Sequence, residues 1–179
     1  MKTLLQSLRL LAALTLLTGF LYPLLVTGVG RVLFPEQSGG SLIRKGDRVI
    51  GSALLAQKTE SARFFSPRPS AGDFATVPSA ASNLAPTSAA LQKAVAARRI
   101  TWGEKAPPDL LTASGSGLDP HLSPAAARHQ AARVAEARGL PEDAVLRLIE
   151  AKTEAPQLGF LGEPRVNVLA LNLALDAAK

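Results

Sequence analysis

The chain opens with a block of apolar positions and then changes character. Residues 10–30, LLAALTLLTGFLYPLLVTGVG, contain no charged side chain and are closed by Arg9 on one side and Arg31 on the other. As a helix rising about 1.5 Å per residue, the block measures roughly 30 Å, the thickness of a bilayer's hydrocarbon core. A helix satisfies its own backbone hydrogen bonds, which is what lipid requires of a spanning segment. Pro23 removes one of those bonds and predicts a kink beside Tyr22. The pattern therefore predicts a basic N-terminus over residues 1–9, a transmembrane helix over 10–30 and a soluble domain over 31–179.

A cleaved signal peptide is the competing reading, with Lys2 and Arg9 as its basic region and residues 10–17 as its apolar region. The apolar block runs well past that length. The stretch Leu25-Val26-Thr27-Gly28-Val29-Gly30 lacks an Ala-x-Ala site. Both features favour a retained anchor. Orientation does not follow from charge, because Lys2 and Arg9 precede the block while Arg31, Arg44, Lys45 and Arg48 follow it closely.

Beyond Arg31 the periods shorten. Ser41-Leu42-Ile43-Arg44 and Arg48-Val49-Ile50-Gly51-Ser52-Ala53-Leu54-Leu55 flank Lys45-Gly46-Asp47, which predicts a β-hairpin. Residues 59–87 are rich in Pro, Ser and Ala but carry Phe64, Phe65 and Phe74, so they are expected to pack onto the domain. Thr87 or Ser88 predicts the start of a helix through Arg99, with Leu91 and Val95 on one face. Ser123-Pro124 reads as an N-cap followed by a first-turn proline, and Gly139 as the matching C-terminal stop. Pro141 opens the next helix, with Glu142 and Asp143 in its first turn, a stripe of Val145, Leu148 and Ile149, and a fading pattern near Thr153. The last segment, VNVLALNLALDAAK, fits periods two and 3.6 in part. Its length and Ala/Leu content favour a helix from about Asn167. The fold class expected is α+β, one membrane helix followed by a hairpin and several short capped helices.

Composition narrows the function. There are 20 Lys and Arg against 14 Asp and Glu, a formal net charge of +6. The bases are dispersed, only Arg44-Lys45 and Arg98-Arg99 being adjacent, and one Trp and one Tyr leave little to stack on bases. A nucleic-acid partner is disfavoured. With no Cys, disulfides, thiolate metal sites and thiol nucleophiles are excluded together.

Tests for chemistry are mostly negative. No G-x-x-x-x-G-K-[ST] string is present, and the hydrolase elbow G-x-S-x-G fails because Ser114 stands where its first Gly belongs. Ser114 or Ser116 with Asp119 and His121 supplies the residue types of a triad, but neighbours in sequence do not give triad geometry. His121, His129 and Asp119 make a poor metal set, with no third strong ligand. His121 is better read as a loop cap and His129 as a helix-surface residue. The Ser123 hydroxyl is expected to satisfy the donors of its own helix rather than leave them for an anion. No catalytic residue and no metal ligand is assigned.

Several strings along the chain are nonetheless specific. They are Thr18-Gly19-Phe20-Leu21-Tyr22-Pro23-Leu24-Leu25; Gly40-Ser41-Leu42-Ile43; Gly51-Ser52-Ala53-Leu54-Leu55-Ala56-Gln57; Arg68-Pro69-Ser70-Ala71; Ser82-Asn83-Leu84-Ala85-Pro86; Thr112-Ala113-Ser114-Gly115-Ser116-Gly117-Leu118-Asp119-Pro120-His121; Arg133-Val134-Ala135; and Gly162-Glu163-Pro164-Arg165-Val166-Asn167-Val168 with Leu171-Asn172-Leu173-Ala174-Leu175. In this order they resemble the KdpC family, the small subunit of the bacterial potassium-transporting P-type ATPase complex KdpFABC. Ala56 and Ser66-Pro67 stand where family members tend to carry Gly and His-Gly.

The resemblance implies a single-pass subunit of the cell inner membrane, with a cytoplasmic N-terminus and an extracytoplasmic C-terminal domain. It implies three partners besides the lipid bilayer: the channel-like potassium-binding subunit KdpA, the ATP-hydrolysing subunit KdpB and the small subunit KdpF. It also implies a catalytic chaperone role, in which ATP affinity of the hydrolysing subunit is raised and a glutamine, matched here by Gln57, contacts ATP. Potassium, the transported ion, is not expected to bind this chain. A role in covering the potassium subunit and stabilising the assembly fits that topology better than nucleotide contact. The alternative function is an independent, signal-anchored periplasmic binding protein or hydrolase.

Overall fold

The computed structural model describes residues 2–178, which form two compact units, 2–50 and 51–178. The architecture is α+β, as the sequence implies.

The first unit is dominated by one long helical rod, Lys2–Leu33, apolar and long enough to cross a membrane. It is longer than the predicted span because Arg9 and Arg31 end the apolar block without ending the helix, whose hydrogen bonds do not depend on side-chain polarity. The rod has three parts: α1 (Lys2–Leu16), a π-helical turn (Leu17–Leu21) and α2 (Tyr22–Leu33). The π-turn sits where Pro23 would otherwise strike the preceding turn. Tyr22 N–H donates to Leu17 O, five residues back, and Pro23 follows in the first turn of α2. The expected disturbance at Pro23 is thus an inserted wide turn. Thr18 Oγ1 donates back to Leu14 O at 2.7 Å, tying the turn to α1.

A short α3 (Pro35–Ser38) leads to the hairpin β1 (Leu42–Lys45) and β2 (Arg48–Ser52). The two-residue turn Gly46-Asp47 has φ +62° at Gly46, where glycine is favoured. β2 stops at Ser52 rather than Leu55, because the Ser52 hydroxyl accepts the Leu54 N–H at 3.1 Å and turns the chain.

The second unit is built on α6 (Pro124–Arg138), α7 (Glu142–Ala151) and α8 (Val168–Ala177), with a small sheet beside them. Ser123 caps α6, its Oγ accepting the Ala126 N–H at 3.2 Å. Gly139 ends α6 in the left-handed conformation. Gly139 N–H donates to Glu136 O and Leu140 N–H to Ala135 O, the paired closure of a Schellman motif. Pro141 is the N-cap of α7, whose Val145 and Ile149 are buried and whose Leu148 packs against the core. Ala126, Ala127, Ala131 and Ala135 give α6 a small-residue face, so neighbouring elements approach it closely.

The ambiguous C-terminal segment resolves into both periods in turn. β5 (Arg165–Asn167) is the centre of an antiparallel sheet ordered β3-β5-β4, with β3 (His121–Leu122) and β4 (Thr153–Glu154) at its edges. Val166 lies in register with Leu122 on one side and Thr153 on the other. α8 then starts immediately, capped by Asn167, whose Oδ1 accepts the Ala170 N–H at 3.0 Å.

α4 (Ala89–Trp102) runs past Arg99 to Gly103, the first residue that stops it. Ser88 stands at its N-cap without a side-chain cap bond, and Leu91 and Val95 are half-buried. A short α5 (Pro108–Leu111) follows and buries Leu110 and Leu111. The stretch 59–87 has no regular structure; it packs down over 64–70, with Phe65 fully buried in the core, while 75–79 and 82–87 are exposed.

Candidate functional site

Within the second unit, parts of four of the specific strings meet at one place: residues 51–57, 68–71, 114–121 and 165–172. Their junction is the candidate site.

Asn167 is its pivot. It is buried and pairs in register with His121. Its Nδ2 donates to Ala53 O at 2.8 Å while its Oδ1 caps α8. One amide thus joins the segment after the hairpin to a helix start. Ala56 N–H donates to Leu118 O at 2.9 Å, and Val168 N–H donates to Pro120 O at 2.9 Å, which brings the 114–121 loop against both.

That loop is fixed from within. Ser116 Oγ accepts the Leu118 N–H at 3.0 Å, and the buried Ser114 donates its N–H to Pro69 O at 3.1 Å. Gly117 is at φ +72°, and a Cβ there would sit 2.5 Å from Ala80 O and 3.3 Å from Ser70 Oγ. Only glycine allows this approach. Asp119 uses both oxygens: Oδ1 accepts the His121 N–H at 3.0 Å, and Oδ2 accepts from the Arg68 guanidinium at 3.2 Å. His121 Nδ1 stands 3.7 Å from Asp119 Oδ1, outside hydrogen-bonding range. His129 projects elsewhere, its Nε2 2.7 Å from Trp102 O. Ser114, Ser116, Asp119 and His121 therefore share a loop but form no nucleophile–base relay.

Gln57 is exposed, and its amide lies against Gly51. A Cβ at Gly51 would collide with the Gln57 side chain and come within 2.8 Å of Leu169 Cδ2. The adjacent Lys58 ammonium is bound by Asp73 at 2.9 Å and lies 3.6 Å from Glu60, and the hydrogen bond and charge of Asp73 raise its pKa. A triphosphate requires backbone N–H groups and uncommitted cations converging on it. The described surroundings of Gln57 do not fit that requirement. Among the described residues, no three His, Asp or Glu side chains group in a way that could hold a metal ion.

The largest contribution of polar side chains is structural, and sequence reading did not foresee it. Asn172, buried on α8, accepts the Phe65 N–H at 2.8 Å and donates to Phe65 O at 3.0 Å. Gln130, buried on α6, does the same for Ser66 at 2.9 and 3.0 Å. Arg133 donates to Ala62 O, Phe64 O and Gln130 Oε1, and Arg138 donates to Arg63 O and Leu175 O while pairing with Asp176 at 2.8 Å. Arg133 also faces the Trp102 ring at 5.5 Å, and Arg138 the Phe64 ring at 4.8 Å. Burial lowers the Arg133 pKa. A signal was present in the sequence: Gln130 and Asn172 each fall on the apolar stripe of their own helix, where a polar residue needs a partner.

The described chain is thus one apolar rod, long enough to cross a membrane, followed by a small α+β unit whose polar groups tie its own loops together. Residues 4–177 match the family model KdpC, K+-transporting ATPase, c chain. The potassium-transporting ATPase KdpC subunit of Rhodospirillum rubrum is 58% identical over 186 residues, covering 98% of this chain and 96% of the relative. That of Cereibacter sphaeroides is 56% identical over 172 residues, covering 94% and 93%. That of Pseudomonas aeruginosa is 52% identical over 183 residues, covering 99% and 98%. The chain belongs to the KdpC family of potassium-transporting ATPase subunits.

Proposed function

We propose that this chain is a non-catalytic subunit of an ATP-driven potassium-uptake complex, held in the inner membrane by its N-terminal helix. The observation that carries this reading is the use of its polar side chains. Asn167, Asn172, Gln130, Arg133 and Asp119 all bond loops of their own unit, which makes a rigid body suited to assembly. Residues arranged for chemistry would instead point reactive atoms at a shared vacant position.

Its partners in this reading are the potassium-binding subunit KdpA, the hydrolysing subunit KdpB and the small subunit KdpF. The N-terminus is cytoplasmic and the second unit extracytoplasmic, where it stabilises the assembly around the potassium subunit. Any effect on ATP affinity is exerted through the complex, because the surroundings of Gln57 do not form a phosphate cradle. An independent periplasmic hydrolase is disfavoured by Asp119, whose oxygens serve Arg68 and a backbone N–H rather than the His121 ring.

Purification through a tag on this chain, from mild-detergent extracts of its own membranes, tests the reading. The other subunits are expected in stoichiometric amounts. Recovery of the chain alone would overturn it. External protease on spheroplasts is expected to digest the part beyond Arg31, and full protection would reverse the topology.

A further inference from the structure

Where the rod ends, residues 31–50 carry Arg31, Arg44, Lys45 and Arg48 against Glu36 and Asp47. Among the described residues, none of these four bases makes an ion pair or a side-chain hydrogen bond, and neither acid pairs with a base. In the second unit, by contrast, Lys58, Arg68, Arg99, Arg138 and Arg165 each hold a carboxylate. The other described bases of that unit either bond carbonyl oxygens or stand apart from one another in the sequence. The hairpin gathers three uncommitted cations, Arg44, Lys45 and Arg48, around one tight turn.

The chain holds that turn close to the rod. Arg31 closes the uncharged block, so it marks one edge of the hydrocarbon core when the rod spans a bilayer. Ser38 N–H donates to Phe34 O at 2.9 Å, and Ser41 N–H donates to Glu36 O at 2.9 Å. The connection therefore folds back on itself, and β1 begins beside Glu36. At about 3.3 Å per residue, the four residues of β1 reach only about 13 Å further. A hairpin inclined toward the surface brings its cations into the headgroup layer.

The same hairpin exposes apolar side chains. Leu42 is 48% exposed and Val49 43%. Leu42 and Arg44 project from one face of β1, because alternate residues of a strand share a face. The aliphatic stems of Arg44 and Lys45 extend the apolar surface while their charges reach past it. Outward apolar groups joined to uncommitted cations suit the interface of an anionic bilayer. An acidic protein surface would match the cations too, but nothing fixes such a surface beside the hairpin, whereas a spanning rod fixes the bilayer there.

We propose that the β1–β2 hairpin binds lipid: Arg44, Lys45 and Arg48 hold the phosphate groups of anionic phospholipids at the surface from which α2 emerges, and Leu42 and Val49 dip between the headgroups. The inference needs the rod to span a bilayer. It needs neither another subunit nor a particular orientation.

The test uses the full chain, which has no Cys, with Val49→Cys labelled by an environment-sensitive fluorophore. The labelled chain is reconstituted at low density into vesicles of phosphatidylcholine, alone or mixed with phosphatidylglycerol, containing a trace of headgroup-quencher lipid. Quenching is expected to be about twofold or more stronger with phosphatidylglycerol. It is expected to fall to the phosphatidylcholine level in about 1 M salt, where screening leaves a range of only about 3 Å. The same label on the Arg44→Gln/Lys45→Gln/Arg48→Gln variant is expected to show the phosphatidylcholine level in both mixtures. Equal quenching in the two mixtures, no effect of salt, or an undiminished preference in the triple variant would overturn the proposal. If the triple variant fails to fold, the lipid and salt dependence of the chain with its bases intact decides. If the labelled chain does not sediment with the vesicles, the rod is no anchor, and the proposal falls with it.

Discussion

Asn172 Oδ1 accepts the Phe65 backbone N–H at 2.8 Å while Asn172 Nδ2 donates to Phe65 O at 3.0 Å, a reciprocal pair spanning 107 residues of chain. A side-chain amide here plays the part of a neighbouring β-strand for a segment that has none. Gln130 repeats the device on Ser66, one residue further along. Phe65 can be fully buried without regular structure because its backbone groups are satisfied in this way.

Asn172→Ala therefore leaves a buried donor and a buried acceptor unpaired. Each such loss costs about 1–3 kcal/mol, so the variant is expected to lose about 2–6 kcal/mol of stability. Asn172→Asp keeps the acceptor and loses the donor, and it is expected to fall in between. Urea unfolding of the detergent-solubilised chain, followed by Trp102 fluorescence, reads the order. An Asn172→Ala midpoint equal to that of the unaltered chain would refute the role assigned to this pair.

These straps mark the boundary of what sequence reading reaches. Ser123, Gly139 and Asn167 were legible because caps are local chemistry, decided within a few residues. The hairpin was legible for the same reason, apart from its end at Ser52. β5 was not, because three residues are too few to show a period, and Val166 is held by partners 44 and 13 positions away, Leu122 and Thr153. α4 runs past Arg99 because no residue before Gly103 breaks the helix. The helix Lys2–Leu33 extends beyond the uncharged block because polarity sets a membrane boundary but not a helical one. At the junction, the strings themselves were visible and their meeting was not. Arg68 reaches Asp119 across 51 residues, and Asn167 reaches Ala53 across 114.

Arg68 and Asp119 form a partly buried pair whose side chains are 26% and 31% exposed. Arg68 Nε is buried and makes no hydrogen bond, so the guanidinium relies on Asp119. Asp119→Ala removes that partner together with the acceptor for the His121 N–H. It is expected to destabilise the chain by about 1–3 kcal/mol. Asp119→Asn retains the bond to His121 and is expected to cost less. Equal thermal midpoints for the two variants would show that the His121 bond contributes nothing.

Gln57→Ala separates a nucleotide contact from a structural one. Gln57 is neutral, and a single hydrogen bond contributes on the order of 1 kcal/mol net, too little to hold a nucleotide alone. ATP titrated by calorimetry into the purified full chain is expected to give no binding in the low micromolar range, with or without Gln57. A low micromolar dissociation constant, equivalent to about 8 kcal/mol, would reveal a nucleotide site on this chain. If Gln57 acts on ATP, its substitution is expected to raise the ATP requirement only of the assembled complex.

Potassium-stimulated ATP hydrolysis, measured on the purified complex assembled with and without this chain, bears most directly on the central claim. The complex containing the chain is expected to hydrolyse ATP in response to potassium, the complex lacking it to lose that response, and the chain alone to hydrolyse none. Equal potassium-stimulated activity with and without the chain, or hydrolysis by the chain on its own, would contradict its assignment as a required, non-catalytic subunit.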